Sequence, residues 1–480
     1  MISTSETNLL FAMKSKLIAF IISTLFILTA VLPVQAQGQY PEYVVQSGDT
    51  FTSIAEMFGV SVDDLMNLNS SIDPNYLSIG DRLSIPGLEG INGTFTRRTV
   101  QLGETLDSLT VKYQMDRDLL VKLNKITSPG EVYAGKTLLL LYSDATDDRV
   151  TLGRSDSANT LLELAASNGT STWNLLEINS RSGMTALLPS DLVYFVSSDT
   201  SREVSIVDPR LSEVSISPLP LVQGGTYTIK VVSATPVTLQ GSLNGMPLHF
   251  FTLEGNTQVA LQGVHALADT GLSIFSLSGT FSDGSTFSSE QPVLLEPGNF
   301  KTADPLTVDP ATIDPSVIGP EEDLIESYTS VVSPDRHWSG IFTRPGFYDE
   351  YNALFGERRK YNDGAYSSFH GGIDFAGGED LPIAAAADGI VVYTGLLEVR
   401  GNATIIDHGW GVYTAYFHQS SIDVQVGEKV TAGQIIGKVG HTGRVDDSLG
   451  FENAGAHLHW EVWVNGIQVD PLDWLDYLYP

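Results

Sequence analysis

The chain contains no cysteine, which excludes disulfide bridges and thiolate metal sites. An extracytoplasmic protein can lack cysteine, so the count leaves the compartment open. Basic residues are scarce: Lys and Arg number 26 against 57 Asp and Glu, a formal net charge of −31. Nucleic acid is therefore not an expected partner, because phosphate binding needs a basic face. Long apolar runs are missing beyond residue 32. The early run at 17–32 follows Lys14 and Lys16 and precedes Val34-Gln35-Ala36, a small-residue cleavage signature. Its 16 residues fall short of the roughly 20 that span a bilayer. We expect a signal peptide at 1–36, export to the cell envelope or beyond, and no stable membrane span after cleavage. An uncleaved anchor is the alternative.

The N-terminal half repeats itself every 55 residues. Gly48-Asp49-Thr50 recurs as Gly103-Glu104-Thr105, Leu68-Asn69 as Leu123-Asn124, and Gly80 as Gly135. A further step reaches Thr160, Asn179 and Asp191, where Ala158 and Asn159 have replaced the turn. Within the first copy, residues 43–45 read as a strand. Residues 51–58 read as a helix with Phe51, Ile54, Ala55 and Phe58 on one face, stopped by Gly59. Ser61 caps a second helix with Asp64 at the reciprocal position, and residues 80–86 read as a closing strand.

This βααβ unit resembles the LysM domain, which binds glycans containing N-acetylglucosamine such as peptidoglycan and chitin. The copies fall at 42–87, 97–142 and, degenerate, 150–197. The resemblance implies a sugar groove beside the turn, with Gly48, Asp49, Thr50, Gly103, Glu104 and Thr105 as candidate glycan-binding residues. The third copy reads as a structural remnant. Every repeated feature is also a folding feature, so units that only space the rest of the chain are the alternative.

Residues 203–296 change to an all-β texture. Tyr227, Ile229 and Val231 alternate with polar neighbours, and Asn244-Gly245 and Asp283-Gly284 read as hairpin turns. The expected fold is an immunoglobulin-like sandwich, serving as a spacer or interaction module. In 297–335 the pairs Asp304-Pro305, Asp309-Pro310 and Asp314-Pro315 recur every five residues, which predicts a semi-extended tether. A helical turn or two is expected within 321–332.

The last segment, 336–480, concentrates chemistry. Of nine histidines in the chain, five lie between His408 and His459. Its motifs are His370-Gly371-Gly372-Ile373-Asp374, Tyr416-Phe417-His418, and His457-Leu458-His459 followed by Trp460-Glu461. Zinc takes imidazole nitrogen and carboxylate oxygen, and a catalytic site uses three such ligands plus an open position. Gly371 and Gly372 argue against a helix at His370. From His457 onward the residues alternate as a strand, with His457, His459 and Glu461 on one face. Same-face neighbours lie roughly 6.5–7 Å apart, so one of the two histidines ligates while the other reaches the water or the scissile carbonyl.

These motifs are similar to those of the lysostaphin or LytM-type zinc metalloendopeptidases, which cut peptide cross-links in bacterial peptidoglycan. Supporting segments include Ile405-Ile406-Asp407-His408-Gly409, Val426-Gly427-Glu428-Lys429-Val430, Gly440-His441-Thr442-Gly443 and Asp470-Pro471. The resemblance implies a mainly antiparallel β domain holding one Zn2+ on His370, Asp374 and His459. His418 and His457 are implied as the proton-handling histidines, with roles not separable from sequence. Glu461 is expected to orient an imidazole. The implied partners are the peptide stems and N-acetylglucosamine glycan of peptidoglycan, for a protein that is otherwise a monomer. A non-catalytic LytM-type regulator that activates a separate amidase is the alternative.

Three positions depart from the family pattern. Gln419 stands where an apolar residue is usual, His441 replaces a small polar residue, and the stretch 444–454 is longer than the usual turn. Asp446, Asp447 and Glu452 in that stretch predict an acidic cleft wall favouring an amine, or a solvated loop. Elsewhere, His249, His265 and His337 read as surface or satisfied core residues, His408 as a packing residue, and His441 as a surface residue. The run Arg358-Arg359-Lys360 reads as a solvated face, with substrate-carboxylate binding as the alternative.

Overall fold

The computed structural model describes residues 40–142, 150–154, 160–167, 170–179, 192–196, 207–208, 210–346, 350–445 and 455–480. Residues 1–36, expected as a signal peptide, and Asp446, Asp447 and Glu452 lie outside the described residues. Among the described residues no helix is long and apolar enough to cross a membrane.

Two compact units divide the chain, one made of residues up to Arg97 with 139–146, the other of 98–138 and 147–480. In the first unit the strand Glu42–Val44 pairs antiparallel with Arg82–Ser84. Between them lie the helices Phe51–Phe58 and Val62–Leu68. Thr50 caps the first helix in a reciprocal box with Ser53, and Gly59, at φ 69°, ends it in the left-handed region. Ser61 caps the second, but its partner Asp64 accepts from the Ser61 hydroxyl at 2.6 Å instead of reaching back to the backbone.

The repeat period has a structural cause. Asn69, Asn124 and Asn179 each donate from Nδ2 to the carbonyl four residues back, that of Leu65, Leu120 and Leu175. Asn69 also clamps Ser84, and Asn179 clamps Tyr194, through paired backbone bonds. The third copy keeps this clamp although Ala158-Asn159 replace its Gly-Asp pair, with helices Leu161–Ser167 and Thr172–Ile178 and strand Val150–Arg154 paired to Leu192–Val196.

In the second unit, residues 211–296 build two sheets over one apolar core. One sheet orders Met246–Pro247, Val237–Leu243, Gly271–Phe281, Thr286–Glu296 and Leu221–Val222. The other orders Phe251–Glu254, Thr257–Gly263, Thr226–Ser233 and Leu211–Ser217. This region is not a detached spacer. Val259, Leu261 and Ala266 belong to the same buried cluster as Phe375, Trp460 and Trp474 of the C-terminal domain. Phe251 stacks on Trp410 at 4.7 Å, and Trp474 Nε1 donates to Thr226 Oγ1 at 3.1 Å. The second repeat also touches it: Gly103 N–H donates to Gln291 Oε1 at 2.7 Å, and Leu294 N–H to the Ala134 carbonyl at 2.8 Å.

The tether expected at 297–335 is corrected. Asp309 and Asp314 each cap a helix whose first residue is the following proline: a 3-10 turn Pro310–Ile313 and a 15-residue helix Pro315–Thr329. An Asp-Pro pair is a cap plus a first-turn proline as readily as a breaker. The segment is also laid along the C-terminal domain. Ala303 N–H donates to the Arg358 carbonyl at 3.0 Å, and Leu306 N–H to that of Lys360 at 2.9 Å. Buried Glu321 accepts from the Val399 and Arg400 amides and from the Arg400 guanidinium.

The C-terminal domain is a twisted antiparallel sheet ordered Tyr351–Ala353, Ile373–Ala376, His457–Val464, Val412–Ile422, Gly401–Gly409, Gly389–Leu397 and Lys429–Val430. One face packs Ile373, Phe375, Leu458, Trp460 and Tyr416 into the main core. On the other face the strand register sets Asp374 and Phe417 opposite His459 on either side.

Candidate metal centre

Strand pairing builds the centre. Asp374 is directly across from His459, so their side chains share a face and meet, with Asp374 Oδ1 2.7 Å from His459 Nδ1. His370 comes from the turn before the Asp374 strand. That turn lies close against the sheet: a Cβ on Gly372 would sit 2.2 Å from the Trp460 carbonyl oxygen. Glycine is needed there for the close approach. His370 Nε2 is then 3.0 Å from Asp374 Oδ1 and 2.9 Å from His459 Nδ1. The three residues form a group able to hold a metal ion.

Tautomers can be assigned from the outer partners. His370 Nδ1 is 2.9 Å from the Leu354 carbonyl, which can only accept, so that nitrogen carries the proton. His459 Nε2 faces Glu461 Oε1 at 3.0 Å and donates likewise. Both inner nitrogens are therefore lone pairs aimed at each other and at a carboxylate oxygen. Three acceptors within 2.7–3.0 Å are satisfied by a proton on His459 Nδ1 or, in its place, by a metal cation, and imidazole with carboxylate suits zinc. Burial lowers the His370 pKa to about 4. Burial also opposes charge on His459, but the bond to Asp374 and the carboxylate of Glu461 outweigh it and raise its pKa. Burial would raise Asp374, yet His370 and His457 hold it well below the usual carboxylate range. Glu461, 3% exposed, accepts from Trp463 Nε1 at 2.8 Å and so cannot swing away from His459.

His418 and His457 stand together beside this group, ring centroids 4.9 Å apart. His418 Nδ1 donates to the Thr442 carbonyl at 2.7 Å and His457 Nδ1 to that of Gly455 at 2.6 Å. Each keeps Nε2 for other work. His457 Nε2 is 3.6 Å from Asp374 Oδ1. Burial, with His457 and His459 nearby, holds the His418 pKa well below the usual imidazole range, so the ring is neutral at pH 7. His418 reaches this face through a bulge: Thr404 pairs with Tyr416 but Asn402 with Gln419, leaving Phe417 and His418 opposite one residue. With its φ of 61°, the bulge sets on the cleft face a side chain that regular alternation would have sent into the core.

The chemistry borders a cavity of about 770 Å³ that also exposes Leu306, Ile318, Arg359, Arg400 and Arg444. Sequence reading missed several of these. Arg359 is not on a solvated face; it is 16% exposed and donates to Asp374 Oδ2 at 3.2 Å. A charge run gives no sign of such a partner. His408 is fully buried between the Asp388 carbonyl and Thr414, away from the cleft. His441 lies 3.2 Å from Glu379 and joins neither group. In the repeats, the Asp49 side chain is 2% exposed and spent on Tyr43, Gln46 and Arg97. Thr50 and Thr105 cap helices, and Glu104 holds Gln101 and Lys112. These side chains build the turns.

Residues 368–471 match the peptidase family M23, and residues 43–86 and 99–140 match the LysM domain. The chain is 40% identical over 103 residues to "DD-carboxypeptidase/endopeptidase Mpg" of Neisseria meningitidis, covering 22% of each protein. It is 41% identical over 103 residues to "Peptidoglycan DD-endopeptidase ShyA" of Vibrio cholerae, again 22% of each. To "Murein hydrolase activator NlpD" of Salmonella dublin it is 37% identical over 115 residues, 24% of this chain and 28% of that protein. The matches thus span less than a third of these relatives' length. The chain carries a peptidase family M23 domain at 368–471 behind two LysM domains at 43–86 and 99–140.

Proposed function

We propose that the chain is a secreted or envelope-held zinc metalloendopeptidase that hydrolyses peptide cross-links of bacterial peptidoglycan, working as a monomer. The observation that carries this reading is the convergence of three lone-pair ligands, with two further histidines presenting free Nε2 atoms beside them. His370, Asp374 and His459 would hold zinc, and Glu461 would fix the His459 ring. Zinc, when bound, supplies Lewis acidity toward the scissile carbonyl and a lowered pKa for water. His418 or His457 takes the proton of the attacking water on Nε2, and the other donates to the developing oxyanion. The carbonyls of Thr442 and Gly455 keep Nδ1–H on both rings, so Nε2 of a neutral ring accepts the water proton, and the ring that donates to the oxyanion does so only once its Nε2 also carries a proton.

The LysM repeats at 42–87 and 97–142 would raise the local concentration of the enzyme on glycan. Gly48 and Gly103 with their neighbours shape the groove, and the 150–197 copy contributes fold alone. The region 203–296 is read as an immunoglobulin-like sandwich that buttresses the peptidase, with 297–335 as its connection. The relative named a murein hydrolase activator motivates a second reading, a regulator without turnover. Digestion of purified peptidoglycan, with products identified by mass, separates the two. Cleaved cross-links that vanish on chelation support the peptidase. Intact peptides in the presence of zinc support the regulator.

A further inference from the structure

A second set of charges shares the cleft with the histidines. Arg359, Arg400 and Arg444 all line it, in a chain of net charge −31. Two of them are compensated: Arg359 pairs with Asp374 at 3.2 Å and Arg400 with Glu321 at 2.8 Å. Among the described residues Arg444 has no carboxylate partner. Its guanidinium donates to the Thr312 carbonyl at 3.0 Å and the Tyr361 hydroxyl at 3.4 Å, and lies over the Tyr361 ring at 4.5 Å from the centroid.

A guanidinium keeps its proton throughout the working pH range and offers five N–H donors in one plane. Two are engaged here, both by neutral acceptors. Removing such a charge from water without an anion is costly, and tying Thr312 in place needs only a neutral donor. What arginine adds is a flat fork suited to a carboxylate, and the Tyr361 ring with the Thr312 carbonyl restrains it. An acidic loop favouring an amine was the expectation for 444–454, and its first residue has the opposite character.

We propose that Arg444, held over the Tyr361 ring, is a subsite for a free carboxylate of the bound peptide, in the cleft that His418 and His457 also line. The substrate class is then a cross-linked peptide with an ionised carboxyl group near the scissile bond, and amidation of that group weakens it. The inference rests on the peptidase reading above.

The test uses two synthetic D-alanyl cross-linked peptides, identical except for free carboxylates or carboxamides at their ends. Dissociation constants are measured by calorimetry on the full chain after chelation, and kcat/KM on the zinc-loaded chain. A charge-assisted bond of this kind corresponds to about tenfold or more in affinity. The expected result is a preference of about tenfold for the carboxylate peptide in wild type. That preference should fall to about one in Arg444→Gln and to an intermediate value in Arg444→Lys, which keeps charge without the planar fork. It should also shrink as salt rises. Equal dissociation constants in wild type, or a preference that survives Arg444→Gln with a native circular dichroism spectrum, would overturn the subsite. If the carboxylate preference is present and neither peptide is cut, the subsite stands and the peptidase reading fails.

Discussion

Gln419 Nε2 donates to the Tyr416 carbonyl at 2.9 Å, a bond that closes over the bulge containing Phe417 and His418. The same nitrogen reaches Thr404 Oγ1 at 2.9 Å on the neighbouring strand. Gln419 is fully buried, and its amide occupies backbone and hydroxyl acceptors that the broken ladder leaves free. The departure from an apolar residue at 419 thus acts on the geometry of the adjacent histidine. Gln419→Leu should lower kcat about three- to tenfold while zinc content stays at wild-type level, because the bulge relaxes and His418 shifts. Steady-state kinetics with metal analysis checks this. Unchanged kcat would mean the bulge holds without the amide.

The backbone at His418 is the second test. An L-residue at φ 61° costs on the order of 1 kcal/mol or more that glycine does not. His418→Gly and His418→Ala should both be inactive, but the glycine variant should be the more stable in urea by about 1 kcal/mol. The reverse order would show that the left-handed conformation is not held in solution.

Much of the centre was legible because zinc chemistry restricts residue type and a strand restricts spacing. His457, His459 and Glu461 at a period of two already share one face, which the structure turns so that His459 joins the converging group and His457 stands beside it. His418 was legible by motif, but its route to the cleft was not, since a bulge leaves no mark in the alternation around Tyr416 and Phe417. Arg359 departs from its reading for a related reason: its partner Asp374 is supplied only by the fold, and local composition reads the run 358–360 as solvated charge. On proline density alone the Asp309-Pro310 and Asp314-Pro315 pairs suggest a tether, whereas a proline directly after a capping aspartate starts a helix. The joint core of the two-sheet region and the peptidase domain has no sequence signature, because Val259 and Leu261 alternate like any buried strand.

Residues behind the ligands should affect metal rather than peptide binding. Arg359→Gln removes the charged donor to Asp374 Oδ2, and Glu461→Gln removes the negative charge behind His459 and leaves one acceptor oxygen for two donors, His459 and Trp463. Each should weaken zinc affinity by about 10- to 100-fold, measured by competition with a fluorescent chelator. Wild-type affinity in both variants would leave the imidazole and carboxylate positions set by packing alone.

The joint between the two-sheet region and the peptidase carries a pH dependence. Burial, reinforced by Asp470, pushes the Asp473 carboxyl up to about 7. Its folded pKa therefore exceeds the unfolded value of about 3.9, and the native state binds the extra proton between them. Stability is then highest below pH about 4 and falls as pH rises toward about 7. Asp473→Asn should gain roughly 1–3 kcal/mol at pH 8, allowing for the group's partial exposure, and little at pH 4. Urea denaturation at the two pH values tests this. An equal gain at both would assign the effect to packing.

The division of labour between two histidines of one strand is tested most directly by zinc per chain in purified wild type, His459→Ala and His457→Ala, measured by inductively coupled plasma mass spectrometry. His459 contributes Nδ1 to the converging set, whereas His457 stands beside it with Nδ1 committed to Gly455. The expected values are near one zinc in wild type, near one in His457→Ala with turnover abolished, and near zero in His459→Ala. No zinc in wild type, or equal loss in the two variants, would contradict the account.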